Sequence, residues 1–197
     1  MCIENICYVY AGPFVTTDIG IQKKIIDQAK VIEQENLPIS ILVITHSKKP
    51  DIFSKTIQFI ELPRFNWIKR QLFICKAILN ISHNYKTIII RGLAYSPIFY
   101  YYFRNLKSTL ILEIHTKVFH ELLVHKRYLN YIIQRLSLGF CNSIINKKIA
   151  VTNEIKDYES SMGFPKERIH VISNGIRTDN IKPINTYPLM ENHSIWY

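Results

Sequence analysis

Two titratable residues stand at the end of one apolar segment, Glu113 and His115, with Ile114 between them. The segment predicts a buried strand, and side chains alternate between the two faces of a strand. Glu113 and His115 therefore share one face, where burying two titratable groups is costly unless they serve a purpose. We predict His115 as the reaction-centre residue and Glu113 as part of its ligand site. The alternative is a histidine satisfied by a neighbouring carbonyl.

Two further strand ends carry residues that could contact a ligand. Arg91 ends a buried strand, where a guanidinium suits an anionic or hydroxyl-rich ligand, or else forms a salt bridge at the sheet rim. His46 also follows a strand and is the second candidate histidine. In an open parallel sheet, ligands bind beyond the carboxyl ends of the strands, so these positions belong to the expected ligand-binding edge.

The loop 11–20 follows the first strand and contains Thr17 before Gly20. It is not a GxGxxG loop, so the dinucleotide-binding fingerprint is absent and a role for NAD loses support. Hydroxyl groups beside a helix N-terminus can still hold a phosphate through free N–H groups and the helix dipole. The alternative is a plain connection whose glycines serve backbone turns.

Other catalytic designs find no support in the residue spacings. The seven histidines form no HExxH pattern, the four cysteines form no CxxC pair, and no GxSxG motif appears. We expect no metal and no bound cofactor. Cys7 and Cys75 lie in apolar patterns, where free cysteine is usual, and the N-terminus has no positively charged start and is typical of a core strand and not of a signal peptide. We therefore expect a cytoplasmic protein.

The elements that would position these residues alternate between short apolar runs and longer amphipathic stretches. The runs are continuous, which is typical of strands buried on both faces of a parallel sheet. The predicted strands are Ile6–Tyr10, Ser40–Thr45, Thr56–Leu62, Thr87–Arg91, Thr109–Ile114, Lys148–Thr152 and Ile169–Ile172. Such alternation predicts a Rossmann-like, doubly wound α/β fold, with a mostly parallel sheet and helices on both faces.

Helices are predicted between the strands. The first has a stripe of Ile21, Ile25, Ala29 and Ile32, and two more cover Asn66–Ile81 and Ser96–Leu106. A long helix is predicted over Lys117–Phe140, and a last one over Glu154–Met162, capped by Asn153 and ended by Gly163. The core-facing residues of the long helix are predicted to be Val118, Leu122, Leu129, Ile132, Ile133 and Leu136.

Charge is unevenly distributed along this chain, whose formal net charge is +10. From Leu62 to Leu112 there is no Asp or Glu, while basic residues alternate with aromatic ones. This composition suits an anionic partner such as nucleic acid, an anionic membrane surface or a phosphorylated substrate. The alternative is a set of solvated lysine-rich helix faces.

The end of the chain differs in character from the rest. After the last strand the sequence turns at Asn174 and Gly175, becomes polar with two prolines, and finishes on the apolar Ile195-Trp196-Tyr197. We predict one domain over residues 1–182, followed over 183–197 by a linker and the start of a second domain.

The stretch from Lys148 to Arg177 resembles the end of the N-terminal domain in glycosyltransferase family 4. The members of this family are GT-B enzymes that retain the anomeric configuration of the sugar. The resemblance is carried by "KIAVTNEIKDY", then "GFP", then "RIHVISNGIR". Val171, Ile172, Asn174, Gly175 and Ile176 match the family pattern "I-x-V-I-P-N-G-V-D". Ser173 departs from its Pro, and Arg177 departs from its Asp or Asn.

This resemblance implies the N-terminal, acceptor-side half of a GT-B fold that uses a nucleotide-sugar donor without a metal. It implies that Gly20 and Thr17 lie in the donor-phosphate loop, that His115 approaches the reacting sugar and that Asn174 and Gly175 form the hinge-side turn. Arg91, Glu113 and His46 would lie on the acceptor side. The expected partners are the chain's own missing C-terminal domain and a glycan or lipid-linked acceptor in polysaccharide or glycolipid synthesis.

The resemblance also favours peripheral contact with the inner face of the cell membrane through the acid-free stretch. Two other classes stay open. One is a non-catalytic basic module for membrane or nucleic acid, although no nucleic-acid-binding motif appears and we expect no nucleic acid. The other is a self-contained Rossmann-like enzyme with a different small ligand.

Overall fold

The computed structural model describes residues 5–12, 19–46, 54–93 and 95–173. Seven strands and six α-helices alternate along them. The strands are β1 (Ile6–Ala11), β2 (Ile39–Thr45), β3 (Ile57–Glu61), β4 (Thr87–Arg91), β5 (Thr109–Ile114), β6 (Lys147–Ala150) and β7 (Ile169–Val171). The helices are α1 (Ile19–Gln34), α2 (Trp67–Ser82), α3 (Pro97–Phe103), α4 (Val118–Val124), α5 (Tyr128–Ile144) and α6 (Asn153–Ser161).

The strands form one open sheet in the order β3-β2-β1-β4-β5-β6-β7, and every neighbouring pair is parallel. The chain moves outward on one side from β1 to β3 and on the other side from β4 to β7. The direction reverses between β1 and β4, which are neighbours at the centre. The predicted Rossmann-like α/β fold is therefore confirmed, and ligands of such sheets bind beyond the carboxyl ends of the strands at this reversal.

Two apolar clusters lie on the opposite faces of the sheet. One contains Val9 and Leu112 and extends to residues of α2, α3, α5 and α6. The other contains Tyr8 and Tyr10 and packs against Ile25 of α1. Alternate residues of β1 thus serve different faces, which explains why its sequence is apolar throughout.

Helix starts follow from the capping residues. Asn66 accepts the N–H of Lys69 at 3.0 Å and begins α2, while Ser96 accepts the N–H of Phe99 and begins α3. The prediction of Asn153 as the cap of the last helix is wrong, because Thr152 accepts the N–H of Ile155 and Asn153 is already helical. Gly163 ends that helix as predicted, with a φ of +91°.

The long helix predicted over Lys117–Phe140 is two helices. After α4 the chain closes with hydrogen bonds from the N–H of Lys126 to the carbonyl of Leu123 and from the N–H of Arg127 to the carbonyl of Leu122. This is a Schellman ending, and Lys126 takes the left-handed conformation that it requires, with φ +54°. No glycine or proline marks this break in the sequence, and apolar residues continue at helical spacing across it. The sequence therefore predicted one helix where the structure has two.

The break also overturns part of the predicted core. Leu122 is buried as predicted, but Leu129, Ile132 and Leu136 are 71%, 52% and 72% exposed. Because the chain restarts at Tyr128 in a new direction, α5 presents another side to the sheet. The residues it buries are Gln134, Ser137, Leu138 and Cys141.

Gly92 lies where the chain leaves β4, against the end of β1. Its φ is +84°, and a Cβ there would stand 2.6 Å from the carbonyl oxygen of Ala11. We expect Gly92→Ala to lower the free energy of unfolding by about 2–3 kcal/mol, since a left-handed alanine must also displace backbone. Urea denaturation measures this.

Gly139 provides the matched control. It lies in α5, and a Cβ there would meet nothing within 4 Å. Gly139→Ala is expected to raise the free energy of unfolding by about 0.5–1 kcal/mol, because alanine restricts the unfolded chain and suits the helix. Equal effects of the two substitutions would show that the approach of β4 to β1 does not depend on glycine.

Candidate functional site

The carboxyl ends of β1, β4 and β5 bring one group of side chains together. The register of the sheet pairs Tyr10 with Arg91 and Arg91 with Glu113, so these three lie side by side on one face. It is the face on which α1 packs. The group therefore lies beside the reversal of strand order, where the fold predicts a ligand.

The carboxylate of Glu113 is the centre of this group. Its Oε1 lies 2.6 Å from Nε2 of His115, 3.3 Å from Nζ of Lys24 and 3.8 Å from Nη1 of Arg91. The Glu113 side chain is only 8% exposed. Two permanent cations and one histidine thus surround a single nearly buried carboxylate, which we call the Glu113 cluster.

Glu113 stays ionised over the whole physiological range. Burial alone would raise its pKa, but the hydrogen bond with His115 and the positive charge of Lys24 outweigh burial and lower the pKa from 4.5 to about 2. The same carboxylate acts on its neighbour Tyr8: burial and the negative charge of Glu113 raise the pKa of that phenol. Tyr8 is therefore a neutral hydroxyl at pH 7.

The contact between His115 and Glu113 confirms that these two side chains share a face. An ionised carboxylate only accepts hydrogen bonds, so Nε2 of His115 must carry the proton that it donates. In the neutral ring Nδ1 then holds the lone pair, which is the form that can accept a proton. The imidazole is 17% exposed, so a ligand can reach it. This arrangement equips His115 for general base or hydrogen-bonding chemistry.

Of the two alternatives for Arg91, the structure shows the salt bridge at the sheet rim. Arg91 forms this ion pair with Glu113, and its Cζ lies 5.9 Å from the centre of the Tyr10 ring. Yet its Nη1 is buried and has no hydrogen-bond partner among the described residues. A buried N–H without an acceptor is costly, and a ligand oxygen would relieve that cost.

Lys24 is a member of this site that we did not predict from the sequence. It lies on α1, three residues after Ile21, and therefore on the flank of the stripe that faces the sheet. That spacing is the signal that could have identified it, because Lys23, two residues after Ile21, does not share this flank. Lysine side chains near such a stripe are usually solvated, so the spacing by itself gave no reason to place Lys24 in a ligand site.

The remaining candidates are placed elsewhere or are not described. Nδ1 of His46 lies 2.7 Å from the carbonyl oxygen of Leu62 and is not brought into the Glu113 cluster. Gly20 is the second residue of α1, in the turn whose N–H groups have no acceptor within the helix. Thr17, Asn174, Gly175 and the proposed boundary at residue 182 lie outside the described residues.

The described part of the chain shows neither a metal-binding cluster nor a membrane-spanning helix. Within it, no group of three or more His, Cys, Asp and Glu side chains could hold a metal ion. No helix in the same residues has the length and apolar character needed to cross a membrane. Cys7, Cys75 and Cys141 are free and buried, and burial raises the pKa of each thiol.

Solved structures with a similar fold include sugar-nucleotide enzymes. Anabaena HepE in complex with UDP and glucose matches with a TM-score of 0.57 at 15% identity, over 89% of this chain and 46% of that one. A glycosyltransferase from Rickettsia africae matches at 0.54 and 17% identity, over 93% and 47%. UDP-N-acetylglucosamine 2-epimerase from Rickettsia bellii matches at 0.53 and 12% identity, over 85% and 44%.

These likenesses concern the fold. No family model matches the chain, and no curated protein matches it. The chain spans about half the length of each structure, as the covered shares of 46%, 47% and 44% show. The sheet and its helices thus have the architecture found in part of these larger enzymes.

Proposed function

We propose that this chain is the acceptor-side half of a glycosyltransferase that moves a sugar from a nucleotide-sugar donor to a glycan or lipid-linked acceptor. The observation that carries the proposal is the Glu113 cluster, which sets a histidine of fixed tautomer beside Arg91 at the ligand-binding edge of the sheet. The buried Nη1 of Arg91 has no hydrogen-bond partner among the described residues. Two of the similar folds are HepE, solved with UDP and glucose, and a glycosyltransferase, which supports a sugar-nucleotide substrate.

In this proposal each member of the cluster has one role. His115 approaches the reacting sugar and accepts the proton of the acceptor hydroxyl through Nδ1. Arg91 and Lys24 attract an anionic or hydroxyl-rich acceptor, and Glu113 holds His115 in the required tautomer. Because the Glu113 carboxylate stays ionised, this orientation persists over the physiological pH range.

The donor would be held by the other half of the enzyme and by the start of α1. The N–H groups of the first turn, where Gly20 lies, and the helix dipole favour a diphosphate. Thr17 in the preceding loop is proposed as a further contact to that diphosphate. A nucleoside diphosphate leaving group needs positive charge, which helix termini and basic side chains can supply in place of a metal.

A second candidate is epimerisation of a nucleotide sugar, because an enzyme of that activity shares the fold. The two activities give different products. A transferase joins the sugar to an acceptor and releases UDP, whereas an epimerase returns a nucleotide sugar of changed configuration. Product analysis by mass spectrometry and NMR therefore distinguishes them.

The test compares this 197-residue chain with the polypeptide extended by the sequence encoded after Tyr197. Each is incubated with a panel of UDP sugars and a lipid extract as acceptor, and UDP release is measured. We expect no release by the chain alone, because donor and acceptor must meet between two domains. The extended polypeptide should release UDP with one of the sugars and label the extract.

Two histidine variants of the extended polypeptide test the role of His115. His115→Ala is expected to lower kcat by about a hundredfold, the loss usual for a general base. His83→Ala is the control, since His83 is exposed at the end of α2 and belongs to no proposed site, and it should keep kcat. UDP release by the short chain, a stop codon directly after Tyr197, or equal kcat for both variants would contradict the proposal.

A further inference from the structure

The outward face of α5 carries a row of large apolar side chains. Leu129, Ile132, Leu136 and Phe140 are 71%, 52%, 72% and 63% exposed. Their spacing of three or four residues places them in one row on the helix surface, which we call the α5 stripe. Isolated exposed leucines are ordinary on proteins, but a contiguous row of four marks a surface that binds something.

The inward face of the same helix makes this row more unusual. Of the four residues that α5 buries, two are the polar Gln134 and Ser137. The helix thus presents its largest apolar side chains to the solvent and part of its polar surface to the core. A helix that is apolar on the outside as well as packed on the inside is normally covered on both sides.

Helix α3 extends the α5 stripe sideways with aromatic residues. The rings of Tyr100 and Phe140 lie 5.6 Å apart, which joins the two helices at this surface. Tyr101 on α3 is 64% exposed, and Arg104 stacks over it at 5.1 Å. Exposed tyrosine beside arginine is typical of surfaces that contact the headgroup layer of a membrane.

The helices that carry this surface have no negative charge. No Asp or Glu occurs between Leu122 and Asn153, or between Leu62 and Leu112, so α3 and α5 carry no acidic residue, and the acid nearest in sequence to α5 is Glu121 on α4. Exposed cations lie at Lys126 and Arg127 before α5, and at Arg135 within it. An apolar row on a helix with these cations and no acid complements a surface with anionic headgroups above an apolar layer.

We propose that the α5 stripe, together with Tyr101 and Arg104, docks the protein on an anionic lipid membrane. The side chains of the stripe enter the boundary between headgroups and acyl chains, and the cations contact lipid phosphates. This inference rests on exposure and charge and does not depend on the proposed transfer reaction. The sequence had led us to expect membrane contact through residues 62–112. In the present proposal the main contact is the α5 stripe, and only α3 from that earlier stretch takes part.

The test is sedimentation of the 197-residue chain with vesicles of phosphatidylcholine alone or mixed with phosphatidylglycerol. We expect binding to the mixed vesicles that weakens as salt rises. Leu129→Glu/Leu136→Glu should raise the lipid concentration for half-maximal binding about tenfold or more, because two anions replace the most exposed apolar anchors. Arg104→Gln should raise it about fivefold.

The matched control is Ile68→Glu/Leu79→Glu, which places the same two charges at exposed apolar positions of α2. It should bind like the unchanged chain, and circular dichroism should show both double variants folded. Equal losses in the two double variants would overturn the proposal in favour of diffuse electrostatic attraction. Absence of binding to the mixed vesicles would also overturn it. So would a dimer of the unchanged chain that the Leu129→Glu/Leu136→Glu substitutions convert to monomer, because a second copy would then cover the stripe.

Discussion

Lys148→Met is expected to lower the free energy of unfolding by about 3–5 kcal/mol, the loss typical of removing one partner from a buried ion pair. Nζ of Lys148 lies 2.7 Å from Oε2 of Glu159, and the two side chains are 0% and 1% exposed. Without the lysine, the carboxyl group of Glu159 stays in the core with no cation beside it. It must then either take up a proton or draw water into the core.

The partners of Lys148 show why methionine cannot replace it alone. The ammonium also donates to the hydroxyl of Tyr95 at 3.0 Å and to Oδ1 of Asn142 at 2.9 Å. The Phe164 ring lies 4.3 Å from Nζ and adds a cation–π contact. Burial lowers the pKa of Lys148, and the charge of Glu159 opposes this effect. Lys148 thus joins β6 to α5, to α6 and to the segment before α3, and methionine can donate to none of these partners.

Two further variants make the prediction specific. Lys148→Met/Glu159→Leu/Tyr95→Phe removes the buried ion pair and the tyrosine hydroxyl, and it leaves only the amide of Asn142, which is half-buried. It is expected to regain most of the lost stability, because apolar replacements of buried pairs are often neutral. Lys166→Met removes the cation of an exposed pair with Asp157 at 2.8 Å and should leave the urea midpoint unchanged. A triple variant no more stable than Lys148→Met would contradict this account.

The sequence was sufficient for the strands because their composition determines them. Thr87–Arg91 and Thr109–Ile114 were predicted with the bounds that the structure has, since β-branched runs between polar turns have few other stable arrangements. The doubly wound, parallel architecture followed from the alternation of these strands with helices. The face shared by Glu113 and His115 followed from strand alternation alone.

The features that the sequence did not predict depend on contacts between distant segments. Lys147 and Lys148 are neighbours in a basic pair, but one is exposed and the other fully buried. Only the position of Glu159 after a further helix makes burial of Lys148 possible. Similarly, the Schellman ending at Lys126 places a non-glycine residue at positive φ, which composition gives no reason to expect. The exposed side of α5 follows from that break.

The Glu113 cluster contains some residues whose proximity was predictable from the sequence and one residue whose position was not. Arg91, Glu113 and His115 end adjacent strands, and so their proximity was predictable from the fold. Lys24 approaches the carboxylate from α1, and only the packing of that helix on β1 brings it there. Without Lys24 the site would be a histidine–carboxylate pair with one arginine; with it, two permanent cations lie beside one carboxylate.

Glu113→Gln is expected to lower the free energy of unfolding at pH 7 by about 3 kcal/mol, the equivalent of a carboxyl pKa held at about 2 instead of 4.5. A depressed pKa stabilises the fold fully above the unfolded value. The contribution is then lost as the pH falls from about 4.5 towards 2. The difference between the variant and the unchanged chain should therefore shrink to about 1 kcal/mol at pH 3.

Urea denaturation of both proteins at pH 7, 5 and about 3 measures this difference. Glu35→Gln is the control, because Glu35 is exposed and should give the pH profile of the unchanged chain. If Glu113→Gln gave a difference that did not depend on pH, the stabilisation would come from packing and not from the charge of the carboxylate. A pH-dependent difference would instead show that Lys24, Arg91 and His115 hold an ionised Glu113 in the folded protein, which is the condition for the tautomer assigned to His115.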